Sequence, residues 1–142
     1  MNESKPNPNV ESYFRIVEGH PVIRDEFVSR FEVEKIVRRL ADDGLGPNQL
    51  QRFFRHCRKL ELQLRSKEKK KWDEVRTSIL MLPAHAVNSM YRPRDPIPQS
   101  FVDFITRNVD MIHTEADFCQ GFMKHFEAVL GYAPKHLRKS DR

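Results

Sequence analysis

Between Pro47 and Arg65 the apolar residues recur at helical spacing. Leu50, Phe53, Phe54, Cys57, Leu60 and Leu64 follow the i, i+3, i+4, i+7 pattern, and at 100° per residue they fall in one stripe. A strand alternates its side chains between two faces and cannot present such a set on one side. The stretch is therefore expected to be a helix that buries its stripe against other apolar surface.

The same period organises the rest of the chain. Ser29 and Glu32 match a capping box ahead of a first helix that places Val33, Ile36, Val37 and Leu40 on one side, and Gly44 is suited to end it in the left-handed conformation. Pro47, with its fixed φ, fits the first position of the second helix. A third helix is expected through Trp72, Val75, Ile79 and Leu82 until Pro83 breaks or kinks it, with a short continuation from Ala84 to Met90. From Tyr91 to Pro98 the prolines at 93, 96 and 98 restrict the residues before them as well, so this stretch is a loop. The fourth helix starts around Gln99 or Ser100 and turns Phe101, Phe104, Ile105 and Val109 inward. The fifth is capped by Thr114 with Asp117 and runs through Phe118, Phe122, Met123, Phe126, Val129 and Leu130 to Gly131. No segment carries a strand pattern. The expected fold is all-α, a single bundle of about five helices with short connections between antiparallel neighbours.

With 142 residues, there is room for one compact core. Residues 1–28 form an N-terminal arm, partly mobile and disordered at its start. Tyr13, Phe14, Ile16, Val22, Ile23 and Phe27 are apolar enough that part of it should dock on the core or on a neighbouring subunit. Residues 29–133 are the helical bundle domain and 134–142 a C-terminal tail. The longest purely apolar stretch, Ile79 to Ala84, is far shorter than the roughly 20 residues a membrane-spanning helix needs. The polar start, Asn2 to Pro8, lacks the apolar centre of a secretory signal. A cytoplasmic protein without membrane association is expected. Cys57 and Cys119 both fall on apolar helix faces and read as buried thiols.

Charge is distributed unevenly. The chain is 32% charged with a formal net charge of +5, and from Arg52 to Arg76 ten basic residues stand against four acidic ones. The rest of the chain carries fifteen basic and sixteen acidic groups, so this one segment holds the entire excess. A polyanion site needs such a concentration, because each phosphate neutralised releases condensed counterions. Arg52, Arg55 and Lys59 project opposite the apolar stripe, and Lys67, Lys69, Lys70 and Lys71 follow near the helix end.

Catalytic chemistry has no comparable signal. The histidines at 20, 56, 85, 113, 125 and 136 are scattered, without HExxH or CxxC to gather ligands, so no metal or other cofactor is expected. His56 and Cys57 are neighbours in sequence but point about 100° apart on a helix, which is poor geometry for a base and its nucleophile. There is no Gly-rich phosphate loop and no nucleophile elbow. Glu61 and Glu127 sit among arginines and lysines, where surface ion pairing is the default expectation. The chain reads as a binding protein and not an enzyme. The first two helices, joined through Asp42 to Gly46, also resemble a helix-turn-helix whose basic second helix could enter a DNA major groove, although its basic residues recur over about three turns and only Asn48, Gln49 and Gln51 stand at its start to read base edges. A DNA-binding regulator is thus an alternative reading.

The segment Gly44-Leu45-Gly46-Pro47-Asn48-Gln49-Leu50-Gln51-Arg52-Phe53-Phe54-Arg55-His56-Cys57-Arg58-Lys59-Leu60-Glu61 resembles the small-subunit family of type III-A CRISPR-Cas (Csm) effector complexes. In that family a Leu-Thr-Pro-Ser-Gln-Leu-Arg-like opening leads into a basic amphipathic helix with paired aromatics. Phe101-Val102-Asp103-Phe104-Ile105 is similar to the family's penultimate helix. Phe118, Phe122, Phe126, Glu127, Leu130, Gly131 and Tyr132 are similar to its closing helix. The resemblance covers roughly residues 29 to 133. It departs from the family pattern between Ala84 and Arg94, and the arm has no counterpart.

The resemblance implies a helical-bundle subunit of antiviral defence that cleaves nothing. Copies would self-associate along an inner filament beside the backbone and large Csm subunits, lining the channel that holds crRNA and single-stranded target RNA. Contact would be mainly to phosphate and sugar, as suits a protein that accepts any guide. Arg52, Arg55 and Lys59 match basic positions of the family's second helix. The candidate RNA-binding set is Arg52, Arg55, Lys59, Lys67, Lys70, Arg92, Arg94 and Lys124.

Overall fold

A computed structural model of the protein describes residues 12–66 and 71–138. Within them lie six α-helices: α1 (Arg30–Asp42), α2 (Pro47–Arg65), α3 (Trp72–Leu80), α4 (Leu82–Met90), α5 (Gln99–Met111) and α6 (Met123–His136). The fold is an all-α bundle with one small addition. Residues expected to form an irregular arm instead form an antiparallel hairpin, β1 (Phe14–Val17) and β2 (His20–Ile23), in which Phe14 pairs with Ile23 and Val17 with His20. Glu18 and Gly19 both have positive φ, 49° and 81°, as the tightest hairpin turns require. Strands of four residues, one containing Pro21, are too short to show alternation in the sequence.

The arm docks on the bundle through aromatic side chains. Tyr13 is fully buried, and its hydroxyl donates to Asn108 Oδ1 of α5 at 2.7 Å. Its ring lies where a Cβ on Gly121 would sit, 2.6 Å from Tyr13 Cγ, so only glycine leaves room for it. Phe27 follows, packed on Tyr13 at 4.9 Å and on His125 of α6 at 5.1 Å between ring centroids. His125 Nδ1 donates to the Phe27 carbonyl at 2.6 Å, which leaves Nε2 as the acceptor of a neutral ring. Burial holds this imidazole below its ordinary pKa, although the Phe27 bond acts in the opposite direction.

Several local expectations hold and some fail for identifiable reasons. Gly44 ends α1 at φ +93°, and Pro47 opens α2. Thr114 and Asp117 cap each other reciprocally at 3.1 Å in both directions, ahead of a π-helical turn at Asp117–Phe122 that contains Gly121. The Ser29–Glu32 capping box does not form. The Ser29 side chain makes no cap bond, and Glu32 pairs with Lys35 at 3.6 Å. The break between α3 and α4 falls at Met81, two residues ahead of Pro83, because proline in the first turn of α4 forces a new start. Helix α6 continues past Gly131 to His136, with Pro134 inside it. That extra turn buries Ala133 and brings Lys135 (3.2 Å) and His136 (2.7 Å) against Glu34, a buried carboxylate on α1. The hydrogen bond from His136, aided by Lys135, holds Glu34 at a pKa of about 2.

The core is an aromatic chain linking α2, α5 and α6. Phe53 stands edge-on to Phe101 at 5.0 Å, Phe54 to Phe126 at 5.3 Å, and Phe104 and Phe122 meet Phe126 at 5.8 and 5.5 Å. Leu50, Leu60 and Leu64 are buried beside them, while Phe53 and Phe54 are half-buried. Cys57 and Cys119 are buried free thiols, and burial raises Cys57 to about 12 and Cys119 to about 11. No helix of the described residues is long and apolar enough to cross a membrane.

Candidate nucleic-acid interface

Helix α2 sorts its basic residues by direction. Its inner side carries a carboxylate among the apolar residues: Glu61 is 2% exposed, buried and not at the surface as its neighbours in sequence suggested. Arg58 donates to Glu61 at 2.7 Å and approaches Glu127 of α6 at 3.6 Å, and Arg65 reaches Glu61 from the next turn at 3.3 Å. Both arginines are ion-paired within the fold although their side chains stay about half exposed, and Arg58 helps fasten α2 to α6.

Arg52, Arg55 and Lys59 face the other way. All three are exposed, and among the described residues none lies within ion-pair distance of a carboxylate. Their spacing of three and four places them in one row over two turns. Their side chains are long enough to follow a phosphate backbone without moving a core residue. His56 stands beside this row, edge-on to His85 of α4 at 6.1 Å. Burial first, then the charges of His85 and Lys59, hold His56 below its ordinary pKa.

The other candidates distribute unequally. Arg92 and Arg94 are exposed in the loop after α4, and among the described residues neither pairs with a carboxylate. That loop is joined to the start of α2 by Gln49, a connection the sequence does not announce. The buried Gln49 side chain accepts the Gly46 N–H at Oε1 (2.9 Å) and donates through Nε2 to the carbonyls of Asp95 and Pro96. The loop that carries these arginines is thereby fastened to the first turn of α2, one turn before Arg52. Gln49 is also fully engaged, and so is unavailable as a reader of base edges. Lys124 is exposed on α6, roughly opposite Phe126, the residue that packs against α2, so it is not brought to the α2 row. Lys67 and Lys70 lie outside the described residues.

The arrangement has the chemistry of a binding surface. Among the described residues no group of three or more His, Cys, Asp or Glu could hold a metal ion. Two depressions, of about 420 and 410 Å³, lie away from the α2 row, one between α1 and α5 over Phe104 and His125 and the other beside Arg38, His136 and Arg138.

A family model described as Csm2 Type III-A matches residues 29–137. The match begins at the residue preceding α1 and ends just past α6, so it takes in all six helices and leaves the hairpin outside. No curated protein and no solved structure matches the chain.

Proposed function

Since the chain belongs to the Csm2 type III-A family of small subunits of the CRISPR Csm complex, we propose that it binds crRNA and single-stranded target RNA by the backbone and does no cleavage itself. In this reading it works in the cytoplasm, beside the backbone and large subunits, with copies associating along the inner filament. The observation that carries the reading is the division of cations on α2. Arg58 and Arg65 are held by Glu61, whereas Arg52, Arg55 and Lys59 are left facing solvent in one row. A row of unpaired cations on an exposed helix face suits a polyanion read by shape and not by sequence.

The test is capture of target RNA by complexes reconstituted with Arg52, Arg55 and Lys59 all changed to Ala. Capture should fall for every target sequence alike, while subunit folding is preserved. Unaltered capture would show that another face holds the RNA. A preference for one duplex DNA sequence by several kcal/mol would return the regulator reading. Labelled single-stranded RNA should stay intact with and without divalent cations. Cleavage abolished by a single substitution in this chain would overturn the non-catalytic assignment.

A further inference from the structure

We infer that Tyr91, at the start of the loop that Gln49 fastens to the first turn of α2, is a stacking platform for an unpaired RNA base. Tyr91 is 77% exposed, above every other large apolar side chain among the described residues. Among those residues no cation lies over its ring, whereas the exposed Phe31 has Lys35 Nζ 4.3 Å from its centroid. From Thr77 to Tyr91 the chain has no Asp, Glu, Lys or Arg, and the charge returns immediately with Arg92 and then Arg94. The open ring thus sits where uncharged surface meets two exposed arginines.

The loop that carries it is fastened in place. Tyr91 N–H donates to the Asn88 carbonyl at 3.2 Å, and Ile97, buried at the far end, donates its N–H to Ser89 at 3.3 Å. Pro93, Pro96 and Pro98 fix their own backbone, and Gln49 clamps the carbonyls of Asp95 and Pro96 to the first turn of α2, one turn before Arg52. A tyrosine on such a support has few torsions to freeze on binding. A ring face accepts any base, so the contact is sequence-tolerant and needs the base unpaired.

This inference rests on the RNA-binding reading, and one titration separates the two. Fluorescein-labelled oligoadenylate and a blunt RNA duplex are titrated with the wild-type chain, Tyr91→Ala, Tyr91→Phe and the Arg52/Arg55/Lys59→Ala triple variant at several salt concentrations. Tyr91→Ala should bind the single strand about tenfold more weakly, the loss of one base stack, with the slope of log K against log salt unchanged. It should bind the duplex as the wild type does, and Tyr91→Phe should bind both normally. Equal weakening on single strand and duplex, or unchanged single-strand affinity in Tyr91→Ala, overturns the stacking role while leaving the phosphate grip standing if the triple variant still fails. Unchanged single-strand affinity accompanied by weakened association with protein subunits would make Tyr91 a protein contact and also overturn the role. Absence of RNA binding by the wild-type chain overturns both readings.

Discussion

The two sides of α2 carry the same residue types and use them in opposite ways. On the flank of the apolar stripe Arg58 and Arg65, themselves about half exposed, close on Glu61, a carboxylate 2% exposed, and are ion-paired within the fold. On the outer side Arg52, Arg55 and Lys59 meet no carboxylate among the described residues. A count along the sequence gives all five the same weight. Direction around the helix decides which of them pair with Glu61 and which are left uncompensated, so the uncompensated charge on α2 is smaller and more localised than its composition suggests.

The contrast can be broken first through its inner side, where effects should be largest. Leu60→Ala removes a buried side chain and should destabilise the protein by about 2–5 kcal/mol, read from denaturant unfolding. Phe53→Ala should cost less than the same change at a fully buried phenylalanine such as Phe126, because Phe53 is only half-buried against Phe101. Equal losses at the two positions would mean that the inner side is drawn wrongly. Glu61→Gln should destabilise by about 1–3 kcal/mol, since a charge-assisted hydrogen bond with Arg58 and an ion pair with Arg65 weaken at once. It frees Arg65 and leaves Arg58 with Glu127 alone, so RNA affinity should hold or rise. A fall in RNA affinity at unchanged stability would place Glu61 in the binding surface.

Smaller effects should come from pH. His125 and His56 are both held below the ordinary 6.5 by burial, so the unfolded chain binds protons more readily than the folded one. The stability the neutral His125 ring supplies is complete above pH 6.5 and is lost as pH falls below it, at no more than about 1.4 kcal/mol per pH unit, and the exposed His56 adds less because solvent screens it. Thermal midpoints should fall as the pH is lowered from 7.5 to 5.5. On the outer side, protonation of His56 adds a cation beside Lys59, so RNA affinity should rise over the same interval, and His56→Gln should flatten that rise.

Much of the fold is legible in the sequence because amphipathic period and terminal residues are local properties. The stripe of α2, the proline at its start, Gly44 at the end of α1 and the Thr114–Asp117 cap need only near neighbours to be read. What escaped depends on distant partners. Gly131 marks a helix end by itself, but Glu34, about a hundred residues earlier, holds Lys135 and His136 and draws α6 onward. Gly121 takes its meaning from Tyr13, and the hairpin's strands are too short for a period. At the site, the outer row is visible from the 100° rotation alone. The burial of Glu61 was within reach, since it lies 20° from Leu50 on the same wheel and is flanked by Arg58 and Arg65 at helical pairing distance. The Gln49 clamp on the loop after α4 was not, because nothing near Gln49 indicates backbone carbonyls 46 and 47 residues away.

The central claim, that α2 offers RNA its outer cations and not its inner ones, is tested most directly by salt dependence. Affinity for an unstructured single-stranded RNA is measured across a range of salt for the wild type, the Arg52/Arg55/Lys59→Ala triple variant and an Arg58/Arg65→Ala double variant. With a slope of about 0.7 per phosphate contact on single strands, loss of three contacts should make the triple variant's log–log slope shallower by about two, with folding stability within about 0.5 kcal/mol of wild type. The double variant should keep the wild-type slope while losing stability. A wild-type slope in the triple variant, or a shallower one in the double variant, would contradict the claim.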